Sequence, residues 1–389
     1  MSPTWCRYRF VIALIIGMQL MVACGSQPAD SGATPGDSAT KVKPTHVVPV
    51  SDWQPRQLTA VLGGSGATFP NPLYQVLISV YTKHIVPTVQ ISYQSVGSGQ
   101  GKKDFISGLT DFGGTDSPIS ADDIAAQVPD VIHIPMVLGG VMPLYNLPTV
   151  TQPLRFSPDS LVGIYMGEIT MWNDARIGAD NPNVSLPAIP IAVVYRSDAS
   201  GTTSIWTDYL SKVSDAWKTT VGKGSSVQWV VGIGAPGNAG IASTVQSTEG
   251  GIGYVEVGYA LSTGLPLPFV KNAAGQYVQP TLANVSVAAA NVVVSDDVQQ
   301  LAQSITNGSD PQAYPVAAFT YVLVHKDTYP DEIKAQALAD FLYWGLTIGQ
   351  DAAVRLGYAP LPTNVRHAAI RALAAIRVDG QQVIDAPVR

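Results

Sequence analysis

The chain has 389 residues, 46% of them apolar and only 13% charged, and 22 Lys and Arg stand against 28 Asp and Glu for a net charge of −6. That length and composition can bury a large core and suit two globular lobes. An acidic chain has no overall field to draw in a polyanion, so nucleic acid is disfavoured; any anion has to be caught by local dipoles and one or two placed cations.

Residues 1–23 read as an export signal. Arg7 and Arg9 give a basic start, and the apolar run 10–23 is interrupted only by Gly17 and Gln19, too short for a bilayer of about 30 Å. The run ends in Leu20-Met21-Val22-Ala23-Cys24, which resembles the lipobox of bacterial lipoproteins, with Met21 where leucine is usual. Cys24 is therefore the expected lipidation site. Cys6 leaves with the signal, so the mature chain keeps one cysteine and no internal disulfide. Without the signal, 20 basic residues face 28 acidic ones, a net of −8. Residues 24–57 are expected to be a lipidated flexible tether: from Gly25 to about Arg56 Ser, Pro, Ala, Gly, Asp and Thr dominate, with few large apolar residues to order the segment.

The body opens with a predicted strand over 58–62. Asn71 and Pro72 suit an N-cap and first helical position, and Leu73, Val76, Leu77 and Val80 recur at helical spacing. Val89, Ile91 and Tyr93 alternate as a second strand, followed by a helix over about 102–108. Strand, loop and helix then repeat: 189–195 is an apolar strand, and SGTT opens a helix carrying Ile205, Trp206, Tyr209 and Leu210. Residues 319–324 read as a strand, 331–346 and 364–376 as helices. This alternation predicts an α/β fold on a mostly parallel sheet, with ligand loops at the carboxyl ends of its strands.

Four segments place hydroxyls, glycines or a fixed charge where a small tetrahedral anion could be held: GSGATFP (64–70), VGSGQG (96–101), FGGTDSP (112–118) and YRSDASGTT (195–203). Three of them run into a predicted helix, whose free N–H groups and dipole favour an anion. Read singly, 64–70 is equally a helix-entry turn with Phe69 in the core, 96–101 a plain glycine turn, and Asp116 a turn or N-cap residue before Pro118. Trp172, Trp206 and Trp217 are expected in the core. His46, His84, His133, His325 and His367 lack metal-ligand spacing, so neither a metal nor any other cofactor is expected. GGIGYVE lacks the P-loop lysine and reads as a turn into a strand, which disfavours a nucleotide.

Taken in order, GSGATFPNPLYQ, YQSVGSGQGKKDF, DFGGTDSP, VVYRSDASGTTSIWTDYL, GGIGYVEVGYA and FTYVLVHKDTYP make the chain resemble the phosphate-binding protein of bacterial high-affinity phosphate ABC transporters, over about 58–375. The resemblance implies a two-lobed, periplasmic-binding-protein-like α/β fold of type II. Lobe one is expected at 58–136 plus 312–389 and lobe two at 137–311, with a hinged cleft between them. It implies an extracytoplasmic receptor, anchored by lipid to the outer face of the cytoplasmic membrane, monomeric, that delivers inorganic phosphate to ABC permease subunits.

The implied phosphate ligands are Thr68, Phe69, Ser98, Asp116, Arg196, Ser200, Gly201 and Thr202, with Asp198 fixing the direction of Arg196. A guanidinium fork matches phosphate geometry. Asp116 would test the ligand for a proton: phosphate near neutral pH has one to donate, sulfate has none, and an unpaired buried acceptor is costly. Ala199 stands where the family has glycine, so a positive φ there would strain the turn. Two other functions fit the residues less well. A metal-independent phosphatase using Ser98, Ser200 or Thr202 as nucleophile lacks a positioned histidine base, and turnover of a chromogenic phosphate ester would reveal it. An exported sensor or adhesin on the same fold would bind phosphate only weakly.

Overall fold

The computed structural model describes residues 53–295, 297 and 301–384. Cys24, the expected signal and most of the expected tether lie outside these residues. The described chain corrects the tether at its end. The Trp53 ring lies 4.5 Å from that of Tyr343, and the Arg56 guanidinium bonds both oxygens of buried Asp340 and the carbonyl of Gln336. One aromatic ring and one charge pair supply the anchorage that the composition of the segment otherwise lacks.

Eight strands form the main sheet: β1 (Ala60–Gly66), β2 (Val89–Ser95), β3 (Phe112–Thr115), β4 (Val131–Tyr145), β5 (Ala192–Arg196), β6 (Ile233–Ala235), β7 (Gly251–Glu256) and β8 (Ala317–His325). Their order is β2-β1-β3-β8-β4-β7-β5-β6. The α/β class holds, but the mostly parallel sheet does not. Pairings are parallel in the two wings, β2-β1-β3 and β7-β5-β6, and antiparallel through the centre, where β8 and β7 run against β4.

The centre depends on β4, fifteen residues buried throughout. Residues 131–140 pair with β8 and residues 141–145 with β7, so this one strand joins the two wings. Pro135 is tolerated because the register slips there: Thr320 faces Val137 and Tyr321 faces Pro135, which leaves Met136 bulged out of the ladder. Where β4 changes partner, a Cβ on Gly139 would lie 2.4 Å from the Phe69 ring, so only glycine lets that ring pack against the strand.

Six helices matter for the site and its support: α1 (Asn71–Val80), α2 (Ser98–Ile106), α3 (Gly201–Val213), α4 (Gly237–Ser247), α5 (Glu332–Leu346) and α6 (Thr363–Ala374). In α1 the N-cap is Pro70, not Asn71, and the buried stripe is Leu73, Tyr74, Leu77 and Ile78, with Val76 turned outward. α2 starts four residues earlier than expected, at Ser98 itself. Trp172, Trp206 and Trp217 are fully buried, as expected of core residues. GGIGYVE is a turn into a strand, as expected: Gly250, at φ +76, is in the turn, and β7 follows from Gly251. Among the described residues no helix is long and apolar enough to cross a membrane.

Candidate functional site

The end of β2 sets the first wall. The N–H groups of Val96 and Gly97 both donate to Gly66 O, at 3.0 and 2.8 Å, which folds the loop back onto β1. Gly97 has φ +94, and a Cβ there would sit 2.5 Å from Asp198 Oδ2, so both backbone and contact require glycine. Ser98, fully buried, opens α2. At the end of β1, Thr68 and Phe69 are buried, and among the described residues no acceptor takes their backbone N–H groups. Their carbonyls are held from outside: the Tyr259 hydroxyl donates to Thr68 O and the Tyr358 hydroxyl to Phe69 O, each at 2.7 Å.

The second wall grows from β5 into α3. Arg196 is buried, and its direction is fixed as expected. Its Nε donates to Asp198 Oδ1 at 2.8 Å and Nη2 to Oδ2, while Nη1 reaches Thr202 Oγ1 at 3.3 Å. Gly237 N–H adds a third bond to Asp198. Burial would raise the Asp198 carboxyl, but the guanidinium bonds outweigh it and hold the group below its ordinary value. The Arg196 backbone is aimed by the core: its N–H donates to the Tyr254 hydroxyl, whose ring stacks on Trp206 at 5.5 Å.

Ser200 caps α3 by accepting from Thr203 N–H at 3.1 Å. Its own N–H donates to Ser225 O, so its hydroxyl hydrogen is the donor left for a ligand. Gly201 and Thr202 are first-turn residues whose N–H groups have no helical acceptor. Ala199 keeps φ out of the positive range, which removes the expected strain, and its carbonyl accepts from Gly99 N–H at 2.8 Å.

Asp116 lies between the walls, just past β3. It is no helix cap, since Ser120 caps the next helix. Thr320 Oγ1 of β8 donates to its Oδ1 at 2.7 Å, Ser98 Oγ lies 3.5 Å from Oδ2, and Asp116 N–H donates to Ser98 Oγ at 3.2 Å. A Cβ on Gly201 would come within 2.4 Å of both Asp116 Oδ2 and Ser98 Oγ, so the two walls meet at this carboxyl. Burial pushes Asp116 up to about 7, against the pull of Thr320, Arg196, Ser98 and Lys102. The site thus joins a guanidinium already matched by one carboxylate to a second acid poised near neutrality, with N–H donors of helix starts on both sides.

The structure brings together all eight expected ligands and Asp198. It adds residues that the motifs did not reveal. Buried Asn238, at the start of α4, donates through Nδ2 to Thr68 Oγ1 at 2.8 Å and Thr202 Oγ1 at 3.1 Å, and accepts from Glu256 N–H. It ties one wall to the other. The only local signal for it is Pro236-Gly237 ahead of a helix start. Glu256 is fully buried, with Oε2 accepting from Gly258 N–H and lying 3.2 Å from the Tyr358 hydroxyl. Burial lifts its carboxyl to about 8, so at neutral pH it is a neutral acid. His133 and His325 bond Ile119 N–H and Asp130, not the site hydroxyls. Among the described residues no group of three or more His, Cys, Asp or Glu could hold a metal ion.

Residues 44–346 match the model of a PBP superfamily domain. Phosphate-binding protein PstS of Pasteurella multocida is 41% identical over 303 residues, covering 78% of this chain and 86% of that protein. Its namesake in Methanocaldococcus jannaschii is 34% identical over 94% of this chain and 96% of its own length. Among solved structures, a phosphate-bound high-affinity periplasmic phosphate-binding protein, PfluDING, superposes with a TM-score of 0.62 at 25% identity, over 80% of this chain and 93% of that one. An ABC-type phosphate transport receptor from Vibrio cholerae matches at a TM-score of 0.51 and 17% identity, over 78% of this chain and all of the other, a likeness of fold.

Proposed function

The chain belongs to the PstS family of phosphate-binding proteins, within the PBP superfamily, and from that premise we propose that it binds one inorganic phosphate between two lobes and delivers it to an ABC permease. The fold is the two-lobed α/β fold of periplasmic binding proteins. The receptor is extracytoplasmic and performs no chemistry on its ligand. Cys24 carries the lipid that holds it at the outer face of the cytoplasmic membrane, and it acts as a monomer. Its lobes are 58–136 plus 312–389 and 137–311, with closure about the strand that both halves of the sheet share.

Thr68, Phe69 and Ser98 bind the ligand from one side, and Arg196, Ser200, Gly201 and Thr202 from the other. About a dozen hydrogen bonds from two sides offset the cost of stripping phosphate of water, which no single helix end provides. One observation carries this reading: a buried carboxyl, Asp116, facing the start of α3 and the Arg196 guanidinium. In a site for a proton-free anion it would be repulsive; toward an anion with a hydrogen to give, it is an acceptor. Asp116→Asn is the test. The amide can donate as well as accept, so competition calorimetry should show sulfate displacing phosphate on the order of tenfold or more better than in the wild type. Unchanged selectivity would count against the assignment.

A further inference from the structure

Beside Asp116 the structure has a cavity of about 520 Å³, lined among others by Lys102, Asp116, Ser117, Ser204, Ile205 and Lys223. Lys102 lies one helical turn after Ser98 on α2 and is half-buried. Its Nζ donates to Ser117 Oγ at 3.2 Å, beside Asp116. Among the described residues it has no carboxylate within ion-pair distance, whereas the neighbouring cations do: Arg196 is matched by Asp198, and Lys223 and Lys212 both face Asp208. The carboxylates that face Lys102 are Asp116 and, on the exposed helix Ala121–Gln127, Asp123.

We infer that Lys102 is the cation that admits a doubly charged, proton-bearing oxyanion through this cavity to Asp116, a specificity-determining residue of the approach. The inference rests on the phosphate reading above. The charged residues that line the cavity are Asp116, Asp208, Lys102 and Lys223, so without Lys102 an anion nearing Asp116 meets two carboxylates against one ammonium. Lys102 brings that count to neutral at the place where low-dielectric walls make charge matter most. The exposed charge of Asp123 is screened by solvent and salt. A long flexible stem and ammonium donors beyond the one on Ser117 let Lys102 follow an ion inward.

Stopped-flow binding of inorganic phosphate to the anion-stripped protein tests this, over a series of ionic strengths. For Lys102→Met the association rate at low salt should fall about tenfold, with a flatter dependence on salt and little change in the dissociation rate. Lys102→Arg should keep the wild-type rate and slope. Equal association rates and slopes for wild type and Lys102→Met would overturn the inference while leaving the phosphate reading intact. So would a loss confined to faster dissociation, which would make Lys102 a holder and not a gate. A wild type that binds no phosphate would instead overturn the reading beneath it.

Discussion

Arg196 has its guanidinium engaged before any ligand arrives, by Asp198 and by Thr202, so it meets an anion already oriented. Hydrogen bonds from a charged donor contribute roughly 1.5–3 kcal/mol each, and two to phosphate correspond to a fall in affinity on the order of a hundredfold or more on Arg196→Ala. Unchanged phosphate affinity in that variant would contradict the site. Asp116 adds a pH dependence. With its carboxyl raised to about 7, it is an acceptor above that pH and turns into a donor below it. Sulfate competition should therefore grow as pH falls through about 7, and a pH-independent preference for phosphate would argue that Asp116 does not read the ligand. Arg196 and its wall were legible because R-x-D-x-S-G-T keeps cation, partner and helix start within seven positions. Asn238, Thr320 and Tyr358 act alone from distant parts of the chain, and a lone Asn, Thr or Tyr carries no spacing to recognise.

At the level of elements, two junctions hold the walls together. The β2 to α2 turn needs Gly97, at φ +94 and against Asp198. An alanine there is strained by about 1–2 kcal/mol before any contact is counted, and it pushes on the partner of Arg196. Gly97→Ala should lower both melting temperature and phosphate affinity; a variant with wild-type affinity would show that the two loops need not touch. Asn238 is the second junction. Asn238→Ala removes the Nδ2 bonds to Thr68 and Thr202 and leaves the Glu256 N–H without a partner, at about 1–3 kcal/mol for a buried group. Phosphate binding should weaken while Asp116-based selectivity persists, as measured by the same calorimetric competition. The helices α3, α5 and α6 were visible to within a residue or two, since caps and apolar periodicity are local. Strand β4 was not: with Pro135, Pro143, Gly139 and Gly140 and both faces buried, it shows neither alternation nor a clean apolar run. Missing it also hid the antiparallel centre of a sheet expected to be mostly parallel.

For the whole molecule, the two halves of the sheet meet where β4 passes β7, and Glu256 is buried at that crossing. Its neutral carboxyl can donate to the Tyr358 hydroxyl, which in turn donates to Phe69 O. Because its folded-state value is raised to about 8 from an ordinary carboxyl, the stability it contributes is present at low pH and lost as pH rises through about 8. That loss runs at roughly 1.4 kcal/mol per pH unit between the two values. The wild type should melt progressively lower than Glu256→Gln as pH is raised from about 5 to about 9, and parallel curves would show that Glu256 is not a buried acid. The central claim, a cleft that accepts an anion only if it brings a hydrogen, is tested most directly by calorimetry of the anion-stripped protein with phosphate and then sulfate at about pH 8, above the Asp116 value. The predicted result is one phosphate bound per chain and no heat from sulfate; sulfate binding as tightly as phosphate, or no phosphate bound at all, would contradict it.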